Sequence, residues 1–404
     1  MPTKKATHQQ TKQHNRNLVL KTIFDHESIS RAEIARVTEL TRTTVSELVS
    51  GLLSEGLVKE VGFGSSIGGK SPILLSLVGD SRYLIGLNLA QDKFYGAVVN
   101  LRGEIKEIVE IPVVDENGKH ALELVYEIID RLIGKNWEPL VGIGIGTPGL
   151  VNTQEGIVVN AVNLDWQDLQ LGKLLRDRYH LPVSIMNDSQ AAAMGEYVYG
   201  EDRMKSSNLI VINVKQGIGA GILVNGRLFQ GDGGGAGEIG HVVVQENGLL
   251  CRCGKRGCLE TISSARAIVQ LAKAQARDFI DSTLADNPGE ITLDVIRKAF
   301  LEGDVLANKL VLQAAHYLGL SIANLIGTLN IHKIILTGEV TGFGKKWLDA
   351  VHEAMIRASL YKMAENTQLE VGTLDFKGCI LGASALMFQD GYSLLFNPTT
   401  GDKR

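Results

Sequence analysis

The stretch HVVVQENGLLCRCGKRGCLE, His241 to Glu260, carries three of the chain's four cysteines together with a histidine and, at its end, the glutamate Glu260. Cys251, Cys253 and Cys258 sit on a compact, glycine-bearing loop, and His241 lies ten residues upstream of the first of them. Three thiolates and one imidazole complete a tetrahedral Cys3His zinc site. Four protein ligands leave no open position, so such a zinc fixes a loop and does not activate water. The plain alternative is three reduced thiols in a flexible loop. Cys379, set between FKG and ILG, reads as a small core residue.

A clamp on this loop gives its acidic neighbours a purpose. Glu238 stands three residues before His241 in AGEIGH, and Glu260 two residues after Cys258 in CLE. Carboxylates held in place suit a polyol, whose hydroxyls need directional acceptors.

The surrounding chain sets the scale. Its 404 residues predict two or three units, each with its own core. The net charge of −4 averages away any local basic patch and says nothing about nucleic acid. Four cysteines in such a length argue against a disulfide framework. The sequence offers no evident apolar run of eighteen residues, and MPTKKATHQQTKQHNRN lacks a signal-peptide core. A cytoplasmic protein without membrane insertion is the expectation.

Residues 1–80 carry their own pattern. Lys4, Lys5, Lys12, Arg16 and Lys21 form a basic arm with no acid before Lys21, either a solvated terminus or a nucleic-acid contact. Leu18, Leu20, Ile23 and Phe24 give a first helix. Ser30 with Glu33 forms a capping box opening SRAEIARVTE, a second helix with Ile34, Ala35 and Val37 inward. Thr41 caps a third, RTTVSELVSGLLSEG, where Val45, Leu48, Val49, Leu52 and Leu53 repeat at helical spacing. LVKEVGFGSSIGGKSPILLSL then reads as two strands around a Gly/Ser-rich tip bearing Lys70. The sum is a winged helix-turn-helix, although small protein-interaction bundles share the three-helix part. Arg42, Thr43, Thr44 and Ser46 lie where a recognition helix meets base edges, with the arm and Lys70 placed for phosphate or the minor groove.

Beyond Asp80 the chain turns to strands and glycine. YLIGLNLA, KFYGAVVNL and EIKEIVEIPV form one meander; NLIVINV, IGAGILVN and GRLFQG form a second about 125 residues later. Duplication predicts two α/β lobes facing a ligand cleft, 81–200 and 201–379, the first completed by 380–404. Gly144, Gly146 and Gly149 satisfy G-x-G-x-x-G, but a proline and turn residues follow where a dinucleotide fold needs a helix. In PVSIMNDSQAAAMGE, Asn187 and Asp188 end a strand, as a helix cap or as cleft-facing groups with Asp188 able to act as a base.

These motifs together resemble the ROK family of repressors, open reading frames and sugar kinases. The resemblance rests on GEIGH with CRCGKRGCLE, on MNDSQAAAMGE, and on SRAEIARVTELTRTTVSELVSGLLSEGLV with GGKSP. It covers nearly the whole chain and points to the repressor branch, similar to xylose, glucose-related and N-acetylglucosamine-related regulators. Relatives more often carry arginine where this chain has Lys70. The resemblance implies a winged helix-turn-helix on an α/β two-lobed, actin-like (ribonuclease H-like) core. It implies one structural zinc on His241, Cys251, Cys253 and Cys258. Sugar contacts would come from Asn187, Asp188, Glu238, His241 and Glu260, with Asn163 and the Gly149 turn as further candidates.

Kinase members of the family hold magnesium and nucleotide in two turns that this chain alters. Asn88 replaces the aspartate of D-x-G-G-T and Ala90-Gln91-Asp92 its glycines and threonine, while Lys215 and Gln216 open the G-T-G turn. Side chains there block the close backbone approach that phosphate needs, Asp92 adds repulsion, and a neutral amide is a poorer magnesium ligand. Asp188, the kinase base position, remains. The expectation is therefore a sugar-responsive repressor of carbohydrate-utilisation genes with no catalytic residue. It would bind double-stranded operator DNA as a homodimer or higher oligomer, with a phosphotransfer-system protein as a further partner. The alternatives are an ATP-dependent sugar kinase with a fused DNA-binding domain, and a zinc sensor reading the cysteine loop.

Overall fold

The computed structural model describes residues 8–65, 71–90, 92–113, 118–387 and 395. Helix α1 (His8–Asp25) leads through the two-residue β1 (Ile29–Ser30) into α2 (Arg31–Thr38) and α3 (Arg42–Ser54). The strands β2 (Val58–Phe63) and β3 (Ile73–Leu77) follow, and β3 lies between β1 and β2 in an antiparallel sheet. The capping box is present in both directions: Glu33 N donates to Ser30 Oγ and Ser30 N to Glu33 Oε2, each at 3.2 Å. Thr41 Oγ1 receives Thr44 N at 3.2 Å and starts α3.

Two expectations for this region change. Val37 points out, 53 % exposed, and Thr38 is buried in its place with its hydroxyl donating to Ile34 O at 2.6 Å. Positions 34 and 38 lie four apart on one helix face, and 37 falls beside it. The basic arm is helical from His8 on. Lys12 pairs with Glu47 at 3.4 Å, Arg16 with Glu55 and Lys21 with Asp25 at 2.5 Å, so these three cations are occupied by the head itself.

The first lobe is built on β4 (Tyr83–Leu89), β5 (Lys93–Asn100) and β6 (Ile105–Pro112), an antiparallel meander. After α4 (Gly118–Ile133) comes β7 (Leu140–Thr147), parallel to β4. A three-stranded flap of β8 (Leu150–Asn152), β9 (Ile157–Ala161) and β10 (Trp166–Leu169) leads to α5 (Leu171–Tyr179) and β11 (Val183–Asn187), parallel to β7. Helix α6 (Asp188–Tyr199) then crosses toward the second lobe. Ile85, Leu87 and Leu89 pack on the Leu124, Val125 and Ile128 face of α4, as strand alternation demands.

The second lobe repeats this plan. Strands β12 (Leu209–Val214), β13 (Ile218–Val224) and β14 (Arg227–Phe229) form its meander. The helices α7 (Glu260–Ser263), α8 (Ala265–Gln275), α9 (Leu293–Glu302) and α10 (Val305–Leu329) precede β15 (Lys333–Thr337). Then come α11 (Lys345–Ala358), α12 (Tyr361–Glu365) and β16 (Gln368–Val371), after which α13 (Lys377–Leu386) returns to lie against β4 and β7 of the first lobe. The sheet orders β11-β7-β4-β5-β6 and β16-β15-β12-β13-β14 match strand for strand, including the parallel and antiparallel pairs. Helices α6 and α13 occupy equivalent places and pack face to face. A Cβ on Gly382 would stand 1.7 Å from Ala191 O, so only glycine admits this spacing.

One helix corrects the reading of the sequence. Over its 25 residues α10 is long and apolar enough to cross a membrane by length and composition. Its Leu310, Val311, Leu318 and Ile322 instead belong to the core of the second lobe, with Trp347 and Val351 of α11. The polar residues Asn308, Lys309, Gln313 and His316 interrupt the run to the eye but share its helix.

Candidate functional site

The loop after β14 folds back so that His241 and the three cysteines meet. The four ligand atoms lie within 4.8 Å of one another. Cys251 Sγ is 3.6 Å from His241 Nδ1, and Cys253 Sγ is 3.6 Å from Cys258 Sγ. A tetrahedral zinc with bonds near 2.0–2.3 Å needs ligand-to-ligand edges of about 3.5–3.8 Å. The group forms a His/Cys3 metal-binding cluster whose donor set and spacing fit zinc. Without a cation such crowding opposes ionisation: burial and neighbouring thiols push Cys258 up to about 12. Cys379 is elsewhere, fully buried under Gly146 as a core residue, as its flanks predict.

His241 connects this cluster to a cleft. Its Nε2 faces Glu238, 3.9 Å from Oε2, on the side away from Cys251. Burial raises the Glu238 carboxyl, the His241 charge opposes that, and Asp188 and Glu260 raise it further, so these groups act on one another across the cleft. The Glu238 side chain is still 40 % exposed. A concave wall produces both results, because protein surrounds the carboxyl while one side stays open.

Asn187, Asp188 and Glu260 are held by backbone groups. Asn187 caps α6, its Oδ1 accepting from Ser189 N at 2.9 Å, and its Nδ2 donates to Gly149 O at 2.9 Å. It is therefore a cap that also ties α6 to the turn at Gly149. Asp188 opens α6, and burial raises its carboxyl against the lowering effect of Lys215. Glu260 Oε2 accepts from Ile218 N at 3.2 Å, and Oε1 from Arg266 at 2.7 Å. Asn163, half-buried, lies in a single turn after β9, next to the strand end that packs on Gly149. Trp166, three residues on, is buried and donates from its indole to Gly118 O at 2.7 Å.

Two functional neighbours were missed by sequence reasoning. Arg266 clamps Glu260 from α8, and the signal for it was a lone arginine six residues along, which no motif marks. Lys215 bears on Asp188 from the end of β12, twenty-seven positions away.

On the other side of the cleft the altered turns are seen directly. Asn88 is 1 % exposed, and its Oδ1 has no hydrogen-bond partner among the described residues. Gln216 donates to Glu339 at 3.2 Å. Burial raises the Glu339 carboxyl, and exposed Asp92 raises it further. Two carboxylates thus flank the place where the resemblance puts nucleotide phosphate in kinases.

In the head, Arg42, Thr43 and Ser46 are exposed along the first turn and a half of α3. Thr44 is only half exposed and its hydroxyl is taken by Thr41 at 2.9 Å, which makes it part of the cap. Lys70 falls outside the described residues.

Fold and site together define a two-lobed, actin-like protein of the sugar-kinase kind, with a winged-helix head and a His/Cys3 cluster able to hold a metal ion. The chain belongs to the ROK family, whose sequence model matches residues 84–390. It is 34 % identical over 392 residues to the xylose repressor of Caldicellulosiruptor bescii, covering 95 % of this chain and 98 % of that one. A solved ROK family transcriptional regulator, a homologue of the E. coli MLC protein, superposes with a TM-score of 0.82 at 29 % identity, over 96 % and 98 % of the two chains. The ROK family glucokinase of Streptomyces griseus, solved with glucose and AMPPNP, gives 0.68 at 28 % identity, over 75 % and 98 %.

Proposed function

We propose that this protein is a sugar-responsive transcriptional repressor of carbohydrate-utilisation genes, acting in the cytoplasm as a homodimer on double-stranded operator DNA. What supports it is that Glu238 stands 3.9 Å from His241 and near enough to Asp188 and Glu260 for their charges to act on it, on a chain whose Thr41-capped helix α3 exposes Arg42, Thr43 and Ser46. The likeness to the xylose repressor and to the MLC homologue runs over the head as well as the core, which supports the same reading.

A single zinc on His241, Cys251, Cys253 and Cys258 would be structural. Its Nδ1 bond to His241 fixes the ring so that Nε2 and Glu238 meet sugar hydroxyls. Asn187, Asp188, Glu260 and, at the flap, Asn163 complete the acceptors. The same cleft carries out no phosphoryl transfer, because Asp92 and Glu339 repel phosphate and Asn88 is a poor magnesium ligand. Sugar is signal. A coupling of about 1–3 kcal/mol between cleft and head changes operator affinity roughly 5- to 150-fold. Arg42, Thr43 and Ser46 read bases, and two heads one DNA turn apart read a palindrome.

The test is a thermal-shift panel on metal-loaded protein with D-xylose, D-glucose, N-acetylglucosamine, their 6-phosphates and Mg-ATP, followed by operator retention with any hit. A sugar that stabilises the protein and alters DNA retention is expected. Sugar-dependent ATP turnover lost in Asp188→Asn would overturn the reading in favour of a kinase.

A further inference from the structure

The head is joined to the core by a small number of bonds, and one side chain makes three of them. Arg102, in the turn between β5 and β6, donates to Phe24 O at 3.1 Å, to His26 O at 3.3 Å and to Ser76 Oγ at 3.2 Å. The first two acceptors are the carbonyl of Phe24, in the last turn of α1, and that of His26 just past its end, where a helix dipole favours a cation. The third lies on β3 of the wing. The guanidinium also faces Glu27, Arg203 and Tyr199, and its own amide is fixed by Asn100 Oδ1 at 2.9 Å.

The same turn rests on α6. A Cβ on Gly103, whose φ is +80°, would stand 2.5 Å from the Tyr199 ring, so the last residue of α6 lies flat against this turn. Tyr197, one turn-step earlier, is near enough to Asp25 of α1 for that charge to act on it. One apolar cluster runs without a break from Val45 and Leu48 of α3 through Leu101 to Met194 and Val198 of α6.

At its other end α6 begins in the cleft. Asn187 and Asp188 stand there, and Gln190, 2 % exposed, donates to Gly234 O at 3.0 Å and Ala236 O at 3.3 Å, on the loop that leads into Glu238. Its 12 residues span about 18 Å at 1.5 Å per residue. A rigid element of that length touches the second-lobe loop at one end and the head's anchor at the other.

We infer that Arg102 is a positioning residue which carries the state of the cleft to the DNA-binding head, with α6 as the rod between them. When the loop at 234–238 moves on Gln190, α6 shifts, Tyr199 presses the Gly103 turn, and the guanidinium moves against α1 and the wing. The angle between recognition helix and core follows. Arg102 touches neither sugar nor DNA. The inference rests on the sensor reading, but its test needs neither ligand.

Hydrogen exchange of the full, metal-loaded chain is measured for wild type, Arg102→Ala, Arg102→Lys, Gln190→Ala and the Gln190/Arg102 double alanine variant. Arg102→Ala is expected to speed exchange at the end of α1 and at β3 by about tenfold or more, the loss of one or two charge-assisted bonds. Arg102→Lys restores part of it. Gln190→Ala speeds exchange at the same head amides from the far end of α6, and adds nothing further once Arg102 is gone. Exchange at β12 stays unchanged, which separates coupling from global loosening; Gln190→Met replaces the alanine variant if that one is unstable. Additive effects of the two substitutions, or a head indifferent to Gln190, would overturn the inference. Neither outcome touches the sugar panel above, so the two readings fail separately.

Discussion

On one side of the cleft, three polar groups are anchored by their neighbours: Asn187 by Gly149 and the α6 amides, Glu260 by Ile218 and Arg266, and His241 by the cysteine cluster. On the other side Asn88 keeps a buried oxygen without a partner among the described residues, and Gln216 is turned onto Glu339. Hydroxyl recognition uses side-chain acceptors on rigid supports, while phosphate recognition uses bare backbone amides. The two can therefore be lost separately. The six altered positions, Asn88, Ala90, Gln91, Asp92, Lys215 and Gln216, all fall on the phosphate side and leave the supports of the hydroxyl side in place.

That contrast is tested most severely by removing the metal. Chelation, or Cys258→Ser, is expected to abolish sugar-dependent stabilisation, because Glu238 and Glu260 both flank the loop that the cluster closes; thermal shift before and after metal replacement reads it. Next in size is Glu260→Ala. It removes the carboxylate partner of Arg266, at side-chain exposures of 10 % and 20 % for Glu260 and Arg266, and a cost on the order of 3 kcal/mol is expected. Denaturant midpoints measure it, and Glu260→Gln should recover part of the stability but not the sugar affinity. Arg42→Ala belongs to the head alone: operator affinity should drop by about 1–3 kcal/mol, with sugar binding unchanged in calorimetry. The smallest effect is the most informative about the dismantled side. Mg-ATP should give no thermal shift in wild type, nor after Asn88→Asp alone, because Asp92, Lys215 and Glu339 still occupy the phosphate place.

Local chemistry was readable in the sequence and long-range chemistry was not. The capping box at Ser30 and Glu33 involves a spacing of three, and the cysteine loop from Cys251 to Cys258 one of seven, so both could be read from nearby letters. The matching sheet orders were foreshadowed by the repeated meander, because strand alternation is local too. Lys215 beside Asp188, and Arg102 against α1, depend on how distant segments pack, and no periodicity announces either. The ion pairs of the arm are hidden for a related reason: the acids that face Lys12 and Arg16, Glu47 and Glu55, lie on another helix. Val37 failed by a single helical step. In α10 a few polar letters hid a 25-residue apolar helix from inspection.

Trp166 offers an optical handle on all of this. Its indole is enclosed in the first-lobe core, tied to Gly118, and three residues from the flap turn that holds Asn163. The other two tryptophans, Trp137 and Trp347, lie outside that flap. A ligand that draws the flap down alters the polarity around one indole of three, so the protein's own emission spectrum becomes a titration curve for its effector, with a Trp166→Phe control to assign it.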